Sequence, residues 1–91
     1  MQIKELMSRN VVIASPRESL SEVAQMMAEK DIGFMPVGDG DRVVGMVTDR
    51  DMVIRGLAMG KGPDTPVSEV MTRDVKYCFD DEDIDRASRR L

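Results

Sequence analysis

Displaced by 64 positions, the 91-residue chain meets itself. Ile3-Lys4-Glu5-Leu6-Met7-Ser8-Arg9-Asn10-Val11 falls on Val67-Ser68-Glu69-Val70-Met71-Thr72-Arg73-Asp74-Val75. Glu5, Met7, Arg9 and Val11 recur unchanged as Glu69, Met71, Arg73 and Val75, and Glu18 recurs as Glu82. Leu20 lies over Ile84 and Met27 over Leu91. Five of 25 aligned positions are identical, and most others in the first nine are conservative, which favours a true repeat over two amphipathic starts that agree by chance. A repeat constrains the fold before any element is assigned, because each copy must be one supersecondary unit that buries its apolar face against a neighbour. The second copy stops at the equivalent of Met27, so the expectation is a fragment of a longer, paired unit.

The first copy carries clear element signals. Val11-Val12-Ile13 is a β-branched run that predicts a strand, ended by Ser15-Pro16 because proline removes a ladder donor. Ser19-Leu20-Ser21-Glu22 has the spacing of a capping box, in which Ser19 and Glu22 satisfy each other's backbone N–H groups. Leu20, Val23, Ala24 and Met27 then recur at helical spacing, which predicts an amphipathic helix over 20–30. Ile32 to Val37 reads as a kinked or edge strand containing Gly33 and Pro36. Gly38-Asp39-Gly40-Asp41 is a turn, and Arg42 to Val47 is the returning strand of a hairpin. Asp49 to Ala58 reads as a second helix closed by Gly60. Residues 61–66, with two prolines and a glycine, form a linker. The second copy restarts with a short helical turn, a strand at Val75 to Phe79 and a helix near Ile84. The fold class is α+β: one complete β-α-β-β-α copy in residues 1–60 and the opening of another in 67–91.

Composition narrows the function. The chain has no His, one Cys (Cys78) and a net charge of -4. It therefore lacks the commonest general base and metal ligand, and it cannot form an internal disulfide or a cysteine-based zinc site. No catalytic residue and no metal site is expected. An acidic chain with three aromatics is a poor nucleic-acid binder, and no stretch is long and apolar enough for a membrane span or a signal peptide. A single thiol suits a reducing cytoplasm, or is simply a small buried hydrophobe. Gly56 to Gly62 looks like a phosphate loop but has the wrong spacing and no Ser or Thr for magnesium, so it reads as a helix end. Asp80-Asp81-Glu82-Asp83 lacks the alternation and glycine of a calcium loop and reads as a solvated helix start. The nine methionines read as core filling, with an adaptable contact surface as the alternative.

The chemistry-bearing segment is Gly45-Met46-Val47-Thr48-Asp49-Arg50-Asp51, where a strand hands over to a helix. Thr48 and Asp51 have capping spacing, and the same geometry suits a ligand. A carboxylate such as Asp51 accepts two hydrogen bonds from adjacent sugar hydroxyls, Gly45 allows a flat ring close to the backbone, and Arg50 and Arg55 supply countercharge for phosphate. A cap can also contact a ligand, so the two readings stand together.

The repeat resembles the CBS domain, a small module that normally occurs in tandem pairs. The resemblance covers the whole chain and is most specific in Ile32-Gly33-Phe34-Met35-Pro36-Val37, in Arg42 through Asp51, and in the restart Val67-Ser68-Glu69-Val70-Met71-Thr72. It implies a site for an adenosine-containing ligand such as AMP, ATP, an NAD-type nucleotide or S-adenosylmethionine. In that site Asp51 would hold the ribose hydroxyls, Thr48 would lie near phosphate or ribose, and Met46 near the adenine. Because family sites are clefts between copies, the facing wall falls on Tyr77, Cys78 and Phe79. The chain departs from the pattern in having Asp80 where Pro16 stands in the first copy, and in lacking a second hairpin and second Thr-x-x-Asp motif. The expected function is a regulatory sensor that binds an adenine nucleotide and responds by conformational or oligomeric change. The alternative is a ligand-independent dimerisation module, and a homodimer is expected in either case.

Overall fold

The computed structural model describes residues 2–73. In chain order these form α1 (Ile3–Met7), α2 (Leu20–Lys30), β1 (Phe34–Asp39), β2 (Arg42–Thr48) and α3 (Asp49–Asp51). α3 continues without a break into a π-helical turn, Met52–Gly56, and a 3-10 turn, Leu57–Met59; a further 3-10 turn spans Val67–Glu69. The α+β class is the one the repeat pattern requires. The strand at 75–79 and the helix near residue 84 lie outside the described residues.

α2 begins where its capping box places it. Ser19 Oγ accepts from the Glu22 amide at 3.1 Å, and Glu22 Oε1 accepts from the Ser19 amide at 3.2 Å. Its buried stripe is Leu20, Val23 and Met27. It ends on Asp31 in the left-handed region (φ 55), with the Ile32 amide donating to the Met27 carbonyl. That exit takes Ile32 and Gly33 into the helix terminus, so β1 starts at Phe34, two residues later than the composition suggested. β1 and β2 form an antiparallel hairpin with Asp39 opposite Arg42 and Gly40 at φ 66 in the two-residue loop. A bulge falls between Val37 and Gly38.

The expected strand at Val11-Val12-Ile13 does not form a ladder. The extended segment meets β1 at one parallel bridge, Ala14 to Val37: the Ala14 amide donates to the Pro36 carbonyl (2.9 Å) and the Gly38 amide to the Ala14 carbonyl (2.8 Å). The next rungs of a parallel ladder would need an amide from Pro36 toward Val12 and one from Pro16 toward Gly38, and neither proline has one. Two prolines thus confine the pairing to a single residue.

The main core joins α2, the hairpin and the second repeat's opening: Leu20, Val23, Met27, Met35, Val37, Val47, Val67, Val70 and Met71. A smaller cluster under α1 packs Leu6 and Phe34 with Val11, Ile13, Val43 and Met46. The Pro-rich segment 61–66 is tied to the start of α2, with the Leu20 amide donating to the Thr65 carbonyl at 2.9 Å and the Ser21 amide to the Pro63 carbonyl at 3.0 Å. The Val67 amide donates in turn to the Glu18 carbonyl at 2.8 Å, which fixes the restart against α2.

Candidate functional site

Gly45, Met46, Thr48 and Asp51 come together where β2 runs into α3. Thr48 is the N-cap, in extended conformation. Its hydroxyl accepts from the Asp51 amide at 3.1 Å, and Asp51 Oδ2 accepts from the Thr48 amide at 3.1 Å. The capping reading of these two residues is therefore the observed geometry. It leaves chemistry unspent. The Thr48 hydroxyl retains a hydrogen to donate, and a carboxylate has more acceptor positions than one capping bond uses. Asp51 Oδ1 lies 3.9 Å from Arg55 Nε, one helical turn on. The Asp51 side chain is 16% exposed and the Arg55 side chain about half exposed, so the carboxylate is shielded while the guanidinium can swing away. Such a surface pair holds weakly.

Arg50 is exposed, and its amide donates to Asp49 Oδ1 at 2.8 Å. Asp49 itself folds back over Gly33, where a Cβ would sit 2.6 Å from Asp49 Oδ2. That contact explains a glycine at position 33 and keeps Asp49 beside the β1 entrance, with its amide donating to the Gly33 carbonyl at 2.9 Å.

Gly45 is buried, and the group that approaches it closely belongs to the chain itself. A Cβ at position 45 would lie 2.7 Å from the Thr72 carbonyl oxygen and 2.9 Å from Met71 Sδ. Met46 and Thr72 exchange both backbone hydrogen bonds, at 2.9 and 2.8 Å. The opening of the second repeat thus adds one antiparallel rung to the free edge of β2, directly beside Thr48. Thr72 and Met71 are site neighbours that were not among the candidate site residues, although they end the restart Val67–Thr72 and lie over Ser8 and Met7 in the repeat. Tyr77, Cys78 and Phe79, assigned to the facing wall, lie outside the described residues.

A concavity of about 420 Å³ opens between α2 and the α3 continuation, and Gly45, Met46, Thr48 and Asp51 do not line it. Its lining includes Leu20, Ala24, Met27, Met52, Val53 and Leu57, together with Asp49 and Lys61. Lys61 Nζ is 3.0 Å from Glu69 Oε1. Val53 and Leu57, which line the concavity, are exposed, and so are Ile54 and Met59 on the same helical segment. The sequence signal for it was the run of apolar residues at 52–54 and 57–59, too dense for one buried stripe.

Among the described residues no helix is long and apolar enough to cross a membrane, and no group of three acidic or cysteine side chains is placed to hold a metal ion.

Comparison with known proteins gives the geometry a family. Hypoxic response protein 1 of Mycobacterium tuberculosis is 44% identical over 78 residues, covering 85% of this chain and 54% of that protein. The CBS domain-containing protein YhcV of Bacillus subtilis is 37% identical over 73 residues, covering 80% and 52%. The chain spans about half the length of these relatives. A crystal structure of a cystathionine beta-synthase domain protein fused to a Zn-ribbon-like domain superposes with a TM-score of 0.67 at 31% identity, covering 70% of this chain and 93% of that one. The family model for the CBS domain matches residues 3–56, which take in α1, α2, the hairpin and the Thr48–Asp51 box, and the chain belongs to the CBS domain family.

Proposed function

We propose that the chain is a regulatory module that binds an adenosine-containing ligand, AMP or ATP in the first instance, beside the β2–α3 junction. CBS-domain proteins are mostly regulatory and signal-transduction modules, which supports the reading at the level of class. The observation that carries it is the reciprocal Thr48–Asp51 box, with a shielded carboxylate that has acceptor positions left over. In this reading Asp51 accepts from the ribose hydroxyls and Thr48 donates to a ribose or phosphate oxygen. Met46 lies along the adenine, Arg50 and Arg55 meet the phosphate, and the opposite wall is assigned to Tyr77, Cys78 and Phe79. NAD-type nucleotides and S-adenosylmethionine share the adenosine moiety and are the next ligands to try. Binding is passed on as a conformational or oligomeric change. No reaction is assigned to the chain.

Thermal unfolding with and without AMP or ATP tests this. At ten times the dissociation constant a ligand specific for the folded state adds about 1.4 kcal/mol. That corresponds to a rise of several degrees in Tm for a domain of this size. Asp51→Ala is expected to abolish the rise. No shift with any adenosyl ligand would overturn the proposal.

The exposed apolar face of Val53, Ile54, Leu57 and Met59 favours a second reading, a homodimer formed with or without ligand. Sedimentation velocity is expected to show a dimer that Leu57→Glu converts to monomer. A wild-type monomer at every concentration would remove this reading.

A further inference from the structure

The rung between Met46 and Thr72 decides where the Thr72 side chain points. Successive side chains on an extended strand alternate between the faces of a sheet. Residues that exchange both backbone bonds carry their side chains on the same face. Met35, Val47 and Met71 belong to the main core, with the buried stripe of α2. Phe34 and Met46 belong to the smaller cluster under α1, on the opposite face. Thr48 stands opposite Phe34 in the hairpin register and two residues beyond Met46, so it shares that second face. Thr72 is placed there by two independent relations, as the partner of Met46 and as the residue after Met71.

Met46, Thr48 and Thr72 thus make one surface drawn from both repeats. In an antiparallel pair, opposite Cβ atoms lie about 5 Å apart and diagonal neighbours about 7–8 Å apart. A planar base along Met46 therefore has Thr48 beyond one end and Thr72 at its side. The Thr72 hydroxyl is open to such a ligand. Thr72 is half-buried, and among the described residues its bonds are those of its backbone alone. No buried side-chain nitrogen or oxygen among these residues lacks a partner, so the unpaired hydroxyl reaches solvent. A hydroxyl both donates and accepts, and the adenine edge offers a ring-nitrogen acceptor beside an amino donor.

We infer that Thr72 is a base-contacting residue of this site: its hydroxyl hydrogen-bonds the edge of the adenine along Met46, and the bound nucleotide ties the opening of the second repeat to the Thr48–Asp51 box of the first. The inference rests on the nucleotide reading of that box, and adds to it a contact from the other repeat. It also gives binding a structural consequence. A ligand held by Thr48, Asp51 and Thr72 together favours the seated arrangement of residues 71–72 over any in which their rung to β2 is open.

Isothermal titration of AMP into the 91-residue wild type, Thr72→Val and Thr72→Ser tests the contact. Valine keeps the branched shape and β propensity of threonine and lacks the hydroxyl, so the rung to β2 is preserved. Thr72→Val is expected to bind AMP about threefold or more weakly, the worth of one hydrogen bond. Thr72→Ser retains the hydroxyl and is expected to stay within about twofold of wild type. A second measurement needs no variant. Saturating AMP is expected to slow hydrogen exchange at the wild-type Thr72 amide by about threefold or more relative to the Glu22 amide in the other capping box. Wild-type affinity in Thr72→Val overturns the inference, as does equal weakening by Thr72→Ser and Thr72→Val. If Thr72→Val does not fold, an unchanged ratio of Thr72 to Glu22 exchange overturns it. AMP binding that is lost with Asp51→Ala but indifferent to Thr72→Val leaves the nucleotide reading standing without Thr72. No AMP binding to wild type removes both.

Discussion

Met7 and Met71 occupy matching places in the repeat, and their surroundings differ completely. Met7 ends α1 with 63% of its surface exposed, whereas Met71 is 5% exposed, with its sulfur against Gly45. The residues that follow diverge in the same way. Ser8 turns its hydroxyl back to the Glu5 carbonyl at 2.8 Å, while Thr72 pairs its backbone with Met46 on the edge of β2. The sequence pattern is shared, and both segments meet the first copy's hairpin, so the difference lies in which residues each turns onto it. The restart at 67–73 brings Met71 and the Thr72 backbone against Gly45 and Met46 of β2. The opening at 2–7 meets the hairpin at its turn end, through the Ile3 amide on the Asp41 carbonyl at 2.9 Å and through Leu6 on Phe34, and leaves Met7 outside the contact. A repeat opening gains its stability from a neighbouring hairpin rather than from its own helix, which at five residues is too short to persist alone.

The sharpest way to break this contrast is to truncate both methionines. Met71→Ala is expected to cost about 3 kcal/mol, as deletion of a buried methionine side chain generally does. Denaturant unfolding reads it directly, and a loss below about 1 kcal/mol would mean the restart is not seated on the hairpin in solution. Gly45→Val attacks the same contact from the other side. Its side chain must displace the Thr72 carbonyl and the Met71 sulfur, and overpacking of this kind costs about 2 kcal/mol. If Gly45→Val is neutral, the close approach is absent.

A second contrast is built into the chain's two capping boxes. Ser19→Ala and Thr48→Ala each remove an N-cap hydroxyl and are expected to cost about 1 kcal/mol. Only Thr48→Ala is expected to weaken AMP binding as well. Equal effects on AMP would mean that the Thr48 box is a cap and nothing more. The smallest change is expected from Met7→Ala, within about 0.5 kcal/mol, as at most exposed positions. A loss approaching that of Met71→Ala would show that Met7 is covered in solution by something the chain's first copy does not provide.

The parts of the fold that local chemistry decides were legible in the residues. The Ser19–Glu22 box and the apolar spacing behind it locate α2 at 20–30, and the Thr48–Asp51 spacing yields the observed box. What was not legible depends on partners distant in sequence. Val11 to Ile13 has strand composition, but its ladder is limited by prolines on two different segments, Pro16 and Pro36. No local propensity at 52–56 announces the π turn, whose last residue, Gly56, is buried beside Leu20 and Val70. Gly45 was read as room for a flat ring, and the structure fills that approach with Thr72 and Met71. In each case a residue's role was set by the surface it meets.

Isothermal titration of AMP into wild type, Asp51→Ala and Ser19→Ala tests the central claim most directly, because it separates binding from folding. The account predicts saturable heat for wild type, the same affinity for Ser19→Ala despite its lower stability, and a loss of about tenfold or more for Asp51→Ala, about 1.4 kcal/mol of binding energy. Equal affinity in Asp51→Ala and wild type, or no binding in either, would contradict it.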